Sequence, residues 1–378
     1  MAVFFSSRIL FLGVGALAVT LLPAAQPGGD PQEPPGLLGY WAHWDGAWYS
    51  EIATDGYGAR YPASTAFFPL FPMMVRLGAS IAGGPAIWGV GISLLSTLFA
   101  LFFFYRIAEH LFDRNAARAA TLCFALFPAA FFLNAVYTEP MFLVFTTGSV
   151  WAGLVRRDLL LAGILGALAA ATRNLGVLLL IPLGLEWLQH RREFGNGGFA
   201  ALCLIPAGLI GYVAFLWGEF GDPLVSFKQQ GDYWGRTTTN PIQTLGDSWT
   251  SARAGLQYLL DPATLFLGAS PGPSLAASNT LNLVFLVILV VILIGGLFVL
   301  KPGLWMYAFV LTLIPVLTPS PNFPLMSMPR FMLGAFPLFL ILGVLLSRTR
   351  AGVTIWLVFS VVLGIALTAL FTTWRWVA

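Results

Sequence analysis

Long apolar runs recur along the whole of this 378-residue chain. A helix of about 20 apolar residues crosses the ~30 Å hydrocarbon core of a bilayer. Only 9% of the residues are charged, whereas a soluble protein has roughly 25%, so the chain has too few charges to cover a water-exposed surface. The runs are continuous rather than alternating. They therefore predict an all-α polytopic membrane protein.

Eleven of these runs are long enough, with tilt or short extensions, to be predicted as transmembrane helices. They are residues 4–22, 86–105, 118–135, 140–155, 159–172, 175–189, 198–217, 279–300, 303–318, 331–347 and 351–371. A further run, AFFPLFPMMVRLGASIA (66–82), contains two prolines and Arg76. These favour a juxtamembrane helix at the interface over another span. We treat residues 1–378 as a single integral-membrane domain.

Basic residues orient the chain, because loops rich in Lys and Arg stay in the cytoplasm. With the N-terminus inside, one set of loops carries 11 of the 19 basic residues but 5 of the 16 acidic ones. The 11 are Arg8, Arg106, Arg114, Arg118, Arg156, Arg157, Arg191, Arg192, Lys301, Arg348 and Arg350. The opposite set faces outward and includes two long loops, 23–85, which carries the juxtamembrane helices and the expected catalytic stretch, and 218–278. Short polar turns at 134–140, 171–176 and 318–330 join them, so we expect a functional site on that face. The net charge of +3 mainly records topology and indicates no nucleic-acid partner.

The stretch HWDGAWYSEIATDGY (43–57) concentrates three carboxylates and an imidazole in a chain that is poor in charge. If it is helical, Trp44, Trp48 and Ile52 recur with helical spacing and form a stripe suited to the membrane interface. Glu51 is then expected to be solvated.

Asp45 would lie at the start of this helix, close to the membrane plane. A carboxylate at that depth can accept a proton from a sugar hydroxyl, because desolvation raises the pKa of a carboxyl group and improves it as a base. The competing interpretation is that Asp45 only caps the helix. No capping box follows, since Trp48 occupies the third helical position. The residues alone leave both interpretations open.

Together with AFFPLFP (66–72), this stretch resembles the PIG-V-type mannosyltransferases, the family that includes the enzyme adding the second mannose in GPI-anchor assembly. These enzymes belong to the GT-C superfamily of polytopic glycosyltransferases, and in length the chain resembles their bacterial branch. The likeness continues in family order through four further segments. These are FPAAFFLNAVYTEPMF (127–142), ATRNLG (171–176), FGDPLVSFKQQGDYWGR (220–236) and SMPRFMLGAFPLF (327–339).

The resemblance implies a GT-C-like fold and an integral-membrane glycosyltransferase. Such an enzyme moves a mannosyl residue from a polyprenyl-phosphate donor to a hydroxyl of a glycan or glycolipid acceptor, on the extracytoplasmic face of what we expect to be a bacterial plasma membrane. Asp45 is then the general base of a single inverting displacement. No covalent intermediate forms, so a second carboxylate is not required as nucleophile.

The departing lipid phosphate needs cations near the outer surface of the membrane. Arg330 and Arg173 are the candidates, because a guanidinium binds phosphate oxygens in a bidentate manner and stabilises their charge. Either could instead be an arginine that snorkels to the interface. Lys228 and Arg236 are weaker candidates, since solvated loop cations are common. Glu139 is either a supporting acid that orients a hydroxyl or pairs with an arginine, or a first-turn carboxylate favoured by the helix dipole.

Contacts to the sugar or the acceptor are predicted for polar and aromatic side chains near these positions, namely His43, Trp44, Asn174, Gln229 and Trp234. In the structural alternative, Trp44 is an interfacial anchor and the loop at 220–236 has no such role.

The sequence contains no D-x-D pair, HExxH motif or cysteine cluster of the kind that binds a metal. Some GT-C relatives use a divalent cation and others do not, and we expect a metal-independent reaction without a cofactor. Two other functions stay open, a lipid-linked sugar transporter or flippase and a non-catalytic membrane subunit of a glycan-assembly complex. Transporters usually show internal repeats and charges near mid-membrane. Here no repeat relates the two halves and the candidate residues fall at one face, which favours surface chemistry.

Overall fold

The computed structural model describes residues 1–26, 34, 36–58, 62–321 and 323–377. Parts of the predicted first outer loop, at 27–33, 35 and 59–61, therefore lie outside the described residues. Within these ranges the regular structure is helical, apart from one isolated β-bridge between Ser320 and Phe323. The predicted all-α architecture is confirmed.

The α-helices are numbered along the chain. They are α1 Ala2–Leu21, α2 Asp45–Asp55, α3 Leu70–Ala79, α4 Pro85–Leu111, α5 Arg114–Ala125, α6 Glu139–Leu154, α7 Leu159–Thr172, α8 Leu180–Gln189, α9 Arg191–Leu202, α10 Ala207–Phe220, α11 Val225–Asp232, α12 Pro241–Leu259, α13 Pro262–Leu267, α14 Gly272–Gly296, α15 Pro302–Leu317, α16 Met328–Gly334, α17 Pro337–Leu346 and α18 Arg350–Thr372. Short 3₁₀ segments cover Gly39–Trp41, Pro62–Ala66, Ala130–Leu133 and Asn174–Leu179.

In the part of the chain that the structure describes, five helical segments are long and apolar enough to cross a bilayer. They are α1, α4, the α9–α10 run Arg191–Phe220, α14 and α18. The bent pair formed by α16 and α17 would make a sixth span. Shorter apolar helices cover Leu70–Ala79, Leu159–Thr172, Asn174–Gln189 and Pro302–Leu317. The lengths and composition of these helices indicate a membrane-embedded protein.

Two predicted spans are not straight helices. The run 118–135 ends as an α-helix at Ala125, and a turn and the 3₁₀ segment Ala130–Leu133 follow. Pro128 lies in that turn, where its missing amide hydrogen prevents helix continuation. The run 331–347 bends by 90° between α16 and α17. Pro337 begins the second helix, because proline fits the first turn of a helix but not its interior.

Arg8 was expected in an inward loop, but it lies within α1 and is 2% exposed. Its guanidinium donates to the carbonyl oxygens of Ala125 at 2.7 Å and Ala130 at 2.7 Å, and to Asn134 Oδ1 at 2.8 Å. Ala125 ends α5, where a cation interacts favourably with the helix dipole. Arg8 therefore holds α1 against the end of α5 and does not mark the cytoplasmic side.

The stripe predicted on α2 is also buried in the protein. Trp48 is 5% exposed and Ile52 is 4% exposed, and the indole of Trp48 stacks on Phe67 with ring centroids 5.7 Å apart. Glu51, expected to be solvated, is 8% exposed. The aromatic residues after the 3₁₀ segment Pro62–Ala66 cover the face of α2 that was assigned to lipid, so α2 is a core helix.

Helices α6 and α7 separate two polar clusters. Glu139 begins α6 and Arg173 follows the end of α7, so both lie at one end of the pair. At the other end, Arg157 contacts Glu186 and donates to Glu193 Oε1 at 3.1 Å. A helix of 16 residues such as α6 is about 24 Å long. The two clusters are therefore separated by most of a bilayer core.

Candidate active site

A cavity of about 500 Å³ opens at the Glu139 end of α6 and α7. Its wall combines the start of α2, residues 66–68, the turn after α7, α11 and the residues that follow it, the end of α15, and α16. Five of the main candidates predicted from sequence line it, namely Asp45, Arg173, Asn174, Trp234 and Arg330, and so does the weaker candidate Arg236. Segments far apart in the sequence thus meet at one cavity, whose wall carries charged side chains.

Asp45 and Arg330 form an ion pair in the cavity wall. Arg330 Nη1 lies 2.5 Å from Asp45 Oδ2, and the two side chains are 10% and 20% exposed respectively. Asp45 is the first residue of α2, while the capping position belongs to Trp44, whose side chain makes no capping hydrogen bond. The helix-cap interpretation of Asp45 therefore gives way to an ion pair that crosses the fold.

Strained backbone precedes both partners of this pair. Trp44 has φ 56° and ψ −119° directly before α2, and Ser327 has φ 70° directly before α16. Positive φ at residues with a Cβ costs about 1–3 kcal/mol and persists only where the surroundings enforce it. Around Trp44 the surroundings are Trp374 and Trp376, whose rings lie 5.5 and 4.9 Å away, edge to face.

Before α16, the enforcing contact is a hydrogen bond from the next amide. Asn282 Oδ1 accepts from the Met328 amide nitrogen at 3.2 Å. Asn282 lies on α14, so a long apolar helix fixes the start of the short helix that carries Arg330.

Glu139 lies behind the cavity wall and not in it. It is 2% exposed; its Oε1 pairs with Arg173 Nη1 and lies 3.3 Å from Arg330 Nε. Both arginines predicted to bind phosphate therefore share this carboxylate. Glu139 is also in the first turn of α6. It therefore both pairs with arginine and lies where the helix dipole favours a carboxylate, so the two alternatives given from sequence do not exclude each other.

Three predicted sugar or acceptor contacts do not line the cavity. The His43 ring is 1% exposed, stacks on Trp374 with centroids 3.9 Å apart, and has Nδ1 2.9 Å from the Phe371 carbonyl oxygen. Trp44 packs in the same aromatic group. On α11 it is Gln230, and not Gln229, that lines the cavity.

Several lining residues were missed or underrated from sequence. Arg236 was judged an ordinary loop cation, yet it lines the cavity with Trp376, Tyr49 and Phe331. Its Nη1 donates to the Thr318 carbonyl oxygen at 3.2 Å. Burial and the neighbouring positive charge of Arg330 lower the pKa of Arg236 to about 10, so it is still charged at neutral pH. In the sequence, Arg236 ends the segment 220–236, which resembles the PIG-V-type mannosyltransferases, and that position could have indicated a role in the site.

Tyr49 presents a neutral phenol to the site. Its hydroxyl lies 3.1 Å from Thr138 Oγ1. Burial raises the pKa of Tyr49, and the negative charges of Glu139 and Asp45 raise it further. The phenol can therefore hydrogen-bond to a substrate at neutral pH but does not serve there as an anionic base.

Across the described ranges, no three His, Cys, Asp or Glu side chains come together as a metal site. The metal-independent reaction stays a prediction. The fixed groups of the site are instead three arginines and two carboxylates, Arg173, Arg236, Arg330, Asp45 and Glu139. This set can hold an anionic ligand and place a carboxylate beside it.

Comparison with known proteins identifies relatives of part of this chain. The mannosyltransferase (PIG-V) family model matches residues 24–181. GPI alpha-1,6-mannosyltransferase 2 of Mus musculus is 32% identical over 211 residues, which are 50% of this chain and 41% of that protein. The Homo sapiens protein of the same name is 31% identical over 222 residues, 53% of this chain and 43% of its own length. The chain thus spans less than half the length of these relatives.

Among solved structures, ArnT from Cupriavidus metallidurans bound to undecaprenyl phosphate aligns with 96% of this chain and 77% of its own, at 14% identity and a TM-score of 0.43. The family match covers Asp45, Glu139, Arg173 and Asn174, four of the residues gathered at or directly behind the cavity wall. Residues 24–181 of this chain are thus similar to the mannosyltransferase (PIG-V) family.

Proposed function

We propose that this protein transfers a mannosyl residue from a polyprenyl-phosphate donor to a hydroxyl group of a glycan or glycolipid, with Asp45 as general base. The observation that carries the proposal is the ion pair of Asp45 with Arg330 in the wall of the cavity. Asp45 lies inside the family match. A carboxylate beside guanidinium groups supplies the two functions that glycosyl transfer from a phosphate requires. These are a proton acceptor and charge stabilisation for the leaving group.

In the proposed reaction, a carboxylate oxygen of Asp45 accepts the proton of the acceptor hydroxyl. That hydroxyl oxygen bonds to the anomeric carbon as the bond from this carbon to the phosphate oxygen breaks. The bonding electron pair departs with the phosphate, whose charge the arginines stabilise. A single displacement inverts the anomeric carbon, so a β-linked donor gives an α-linked product. Asn174 and Trp234, which line the cavity, are proposed sugar contacts.

We place the cavity on the extracytoplasmic face of a bacterial plasma membrane, in a single integral-membrane domain with eleven spans. The asymmetry of basic residues supports this orientation. So does the separation of the cavity from the Arg157 cluster, which lies at the opposite end of α6 and α7. A transporter or flippase would bind its substrate near mid-membrane, whereas this cavity lies at one end of the helices.

The test is mannosyl transfer from synthetic polyprenyl-phosphate mannose by the purified protein and its Asp45→Asn variant. Removal of a general base lowers turnover by about 10²- to 10⁴-fold, and we expect a loss in that range with donor binding retained. Asp55→Asn is the matched control, because it makes the same change on the same helix at an exposed residue that does not line the cavity.

Two results would contradict the proposal. Asp45→Asn turnover equal to that of the wild type would exclude Asp45 as the base. A wild-type protein that binds the donor but neither transfers nor hydrolyses its sugar would exclude the donor assignment. Polyprenyl-phosphate glucose in a parallel assay tests the choice of sugar.

A further inference from the structure

Three guanidinium groups surround one aromatic ring at the cavity. The Cζ atoms of Arg173, Arg236 and Arg330 each lie 5.7 Å from the centroid of the Phe331 ring. All four side chains line the cavity. The negative face of an aromatic ring attracts cations, so Phe331 helps to hold three like charges close together. This arrangement brings more positive charge to one wall than the carboxylates of the site balance.

Arg236 is the one of the three without a carboxylate partner among the described residues. Arg173 pairs with Glu139, and Arg330 pairs with Asp45 and lies near Glu139. Within the described part of the chain, the hydrogen bond of the Arg236 side chain goes to the Thr318 carbonyl oxygen. Burial and the neighbouring positive charges of Arg330 and Arg173 also lower the pKa of Arg236. An anion in the cavity would remove this imbalance, and Arg236 is the guanidinium free to bind it.

Arg330, by contrast, pairs with Asp45, the carboxylate that has to accept a proton in the proposed reaction. Asp45 Oδ2 lies 2.5 Å from Arg330 Nη1, so this oxygen is occupied by the guanidinium and is not open to a hydroxyl of the acceptor. Arg330 has a second counter-charge, since its Nε lies 3.3 Å from Glu139 Oε1. It can therefore turn away from Asp45 without being left as an uncompensated buried cation.

We propose that Arg236 anchors the phosphate of a lipid-phosphate donor and that the bound phosphate draws Arg330 away from Asp45. The proposal rests on the proposed function for the identity of the donor. In the empty site the base is held by Arg330; in the loaded site Arg236 and Arg330 share the phosphate oxygens and Asp45 is released toward the acceptor. Deprotonation of the acceptor is thereby tied to the presence of the donor.

The first experiment measures binding of sugar-free polyprenyl phosphate to the purified full chain by isothermal titration calorimetry. We expect Arg236→Gln to bind about tenfold more weakly than the wild type, as for loss of one charge-assisted contact. We expect Arg236→Lys to lose less, because it keeps the charge. Arg253→Gln is the control, since Arg253 is exposed on α12 and lies outside the cavity lining. Equal binding by Arg236→Gln and the wild type would overturn the proposal.

The second experiment tests whether phosphate and Asp45 compete for Arg330. If they do, Asp45→Asn binds polyprenyl phosphate several-fold more tightly than the wild type, because no pair has to be broken. In an Arg330→Gln background the same substitution should give only a small residual gain from the removed negative charge. A gain of equal size in both backgrounds would overturn the release of Asp45. This comparison stands even if Arg236→Gln does not fold.

Control ligands show whether the site recognises the phosphate group, the lipid or both. Polyprenol, which lacks the phosphate, should bind wild type and Arg236→Gln alike. Inorganic phosphate should displace the lipid phosphate from the wild type at higher concentration. If inorganic phosphate binds in an Arg236-dependent way and the lipid phosphate does not, the lipid-donor assignment of this subsite is wrong. These assays contain no sugar, so they can succeed where mannosyl transfer fails, and the two proposals fail separately.

Discussion

Glu139 is the residue on which the arginine arrangement depends. It is 2% exposed and faces two guanidinium groups. Removing one member of a buried ion pair costs about 3–5 kcal/mol, because the remaining charge is left uncompensated. We expect Glu139→Gln to lower the unfolding free energy by about 3 kcal/mol, measured as a fall in melting temperature by tryptophan fluorescence in detergent.

The matched control for Glu139→Gln is Glu219→Gln, since Glu219 is exposed near the end of α10. It should melt within error of the wild type. Asp45→Asn should be intermediate, because the Asp45 side chain is 20% exposed and its partner Arg330 keeps Glu139 nearby. A Glu139→Gln protein as stable as Glu219→Gln would show that Glu139 does not support the two arginines.

At the level of single residues, sequence reasoning selected several residues that the structure brings together at the cavity, but not always the direction of the side chain. Asp45 and Arg330 were chosen for their residue types, and the structure places them in contact. Gln229 was chosen and Gln230 lines the cavity instead, because neighbouring residues on a helix point about 100° apart. Arg236 looked like any loop arginine, since its burial comes from α15 and α16, which follow far along the chain.

Close backbone packing fixes the element that carries Asn174. A Cβ at Gly176 would lie 2.3 Å from the Ala170 nitrogen and 2.4 Å from the Ala169 carbonyl carbon. Both are backbone atoms of α7 and cannot move aside as a side chain would. We expect Gly176→Ala to push the 3₁₀ segment Asn174–Leu179 off α7 and cost about 1–3 kcal/mol of stability, measured by thermal unfolding.

Gly184→Ala tests whether the effect comes from packing or from loss of a glycine. A Cβ at Gly184, within α8, meets nothing within 4 Å. Alanine there should be neutral or stabilise the protein by up to about 1 kcal/mol, because it favours the helix. If both substitutions had the same effect, the close approach of the 3₁₀ segment to α7 would not matter to stability.

Helices were the most predictable elements, and their ends and bends the least. Apolar runs 86–105 and 351–371 became parts of α4 and α18, since hydropathy alone determines which segments can be buried in lipid. The 90° turn between α16 and α17 does not change the hydropathy of the run. It depends on a proline within an otherwise continuous apolar segment, which average hydropathy does not detect.

At the scale of the whole molecule, α6 and α7 have a polar cluster at each end. That the Glu139 end faces outward stays a prediction made from charge. Arg8 should not be counted among the basic residues of the inward loops, because it is buried in the protein and donates a hydrogen bond to the end of α5. The loops around Arg157 and Arg192 still lie at the end of α7 opposite to Arg173. Without Arg8, the loops assigned to the inner side still carry more basic residues than those assigned to the outer side.

This polarity predicts which loops are accessible from outside the cell. In a background with Cys123→Ala and Cys203→Ala, a single cysteine is introduced by Asp247→Cys or by Arg192→Cys. Both positions are exposed; Asp247 is on α12 in the second long outer loop, and Arg192 is at the start of α9. A membrane-impermeant maleimide added to intact cells should label Asp247→Cys fully and Arg192→Cys only after permeabilisation.

The reverse labelling pattern would show that the protein has the opposite orientation, with the cavity on the cytoplasmic face. The chemistry argued for Asp45 would then be unchanged, but the donor would have to present its phosphate from the inner leaflet. Labelling of both cysteines in intact cells would mean that α7 and its neighbours do not separate two aqueous sides, contrary to the charge asymmetry of the loops. The experiment therefore decides the side of the membrane independently of any measurement of catalysis.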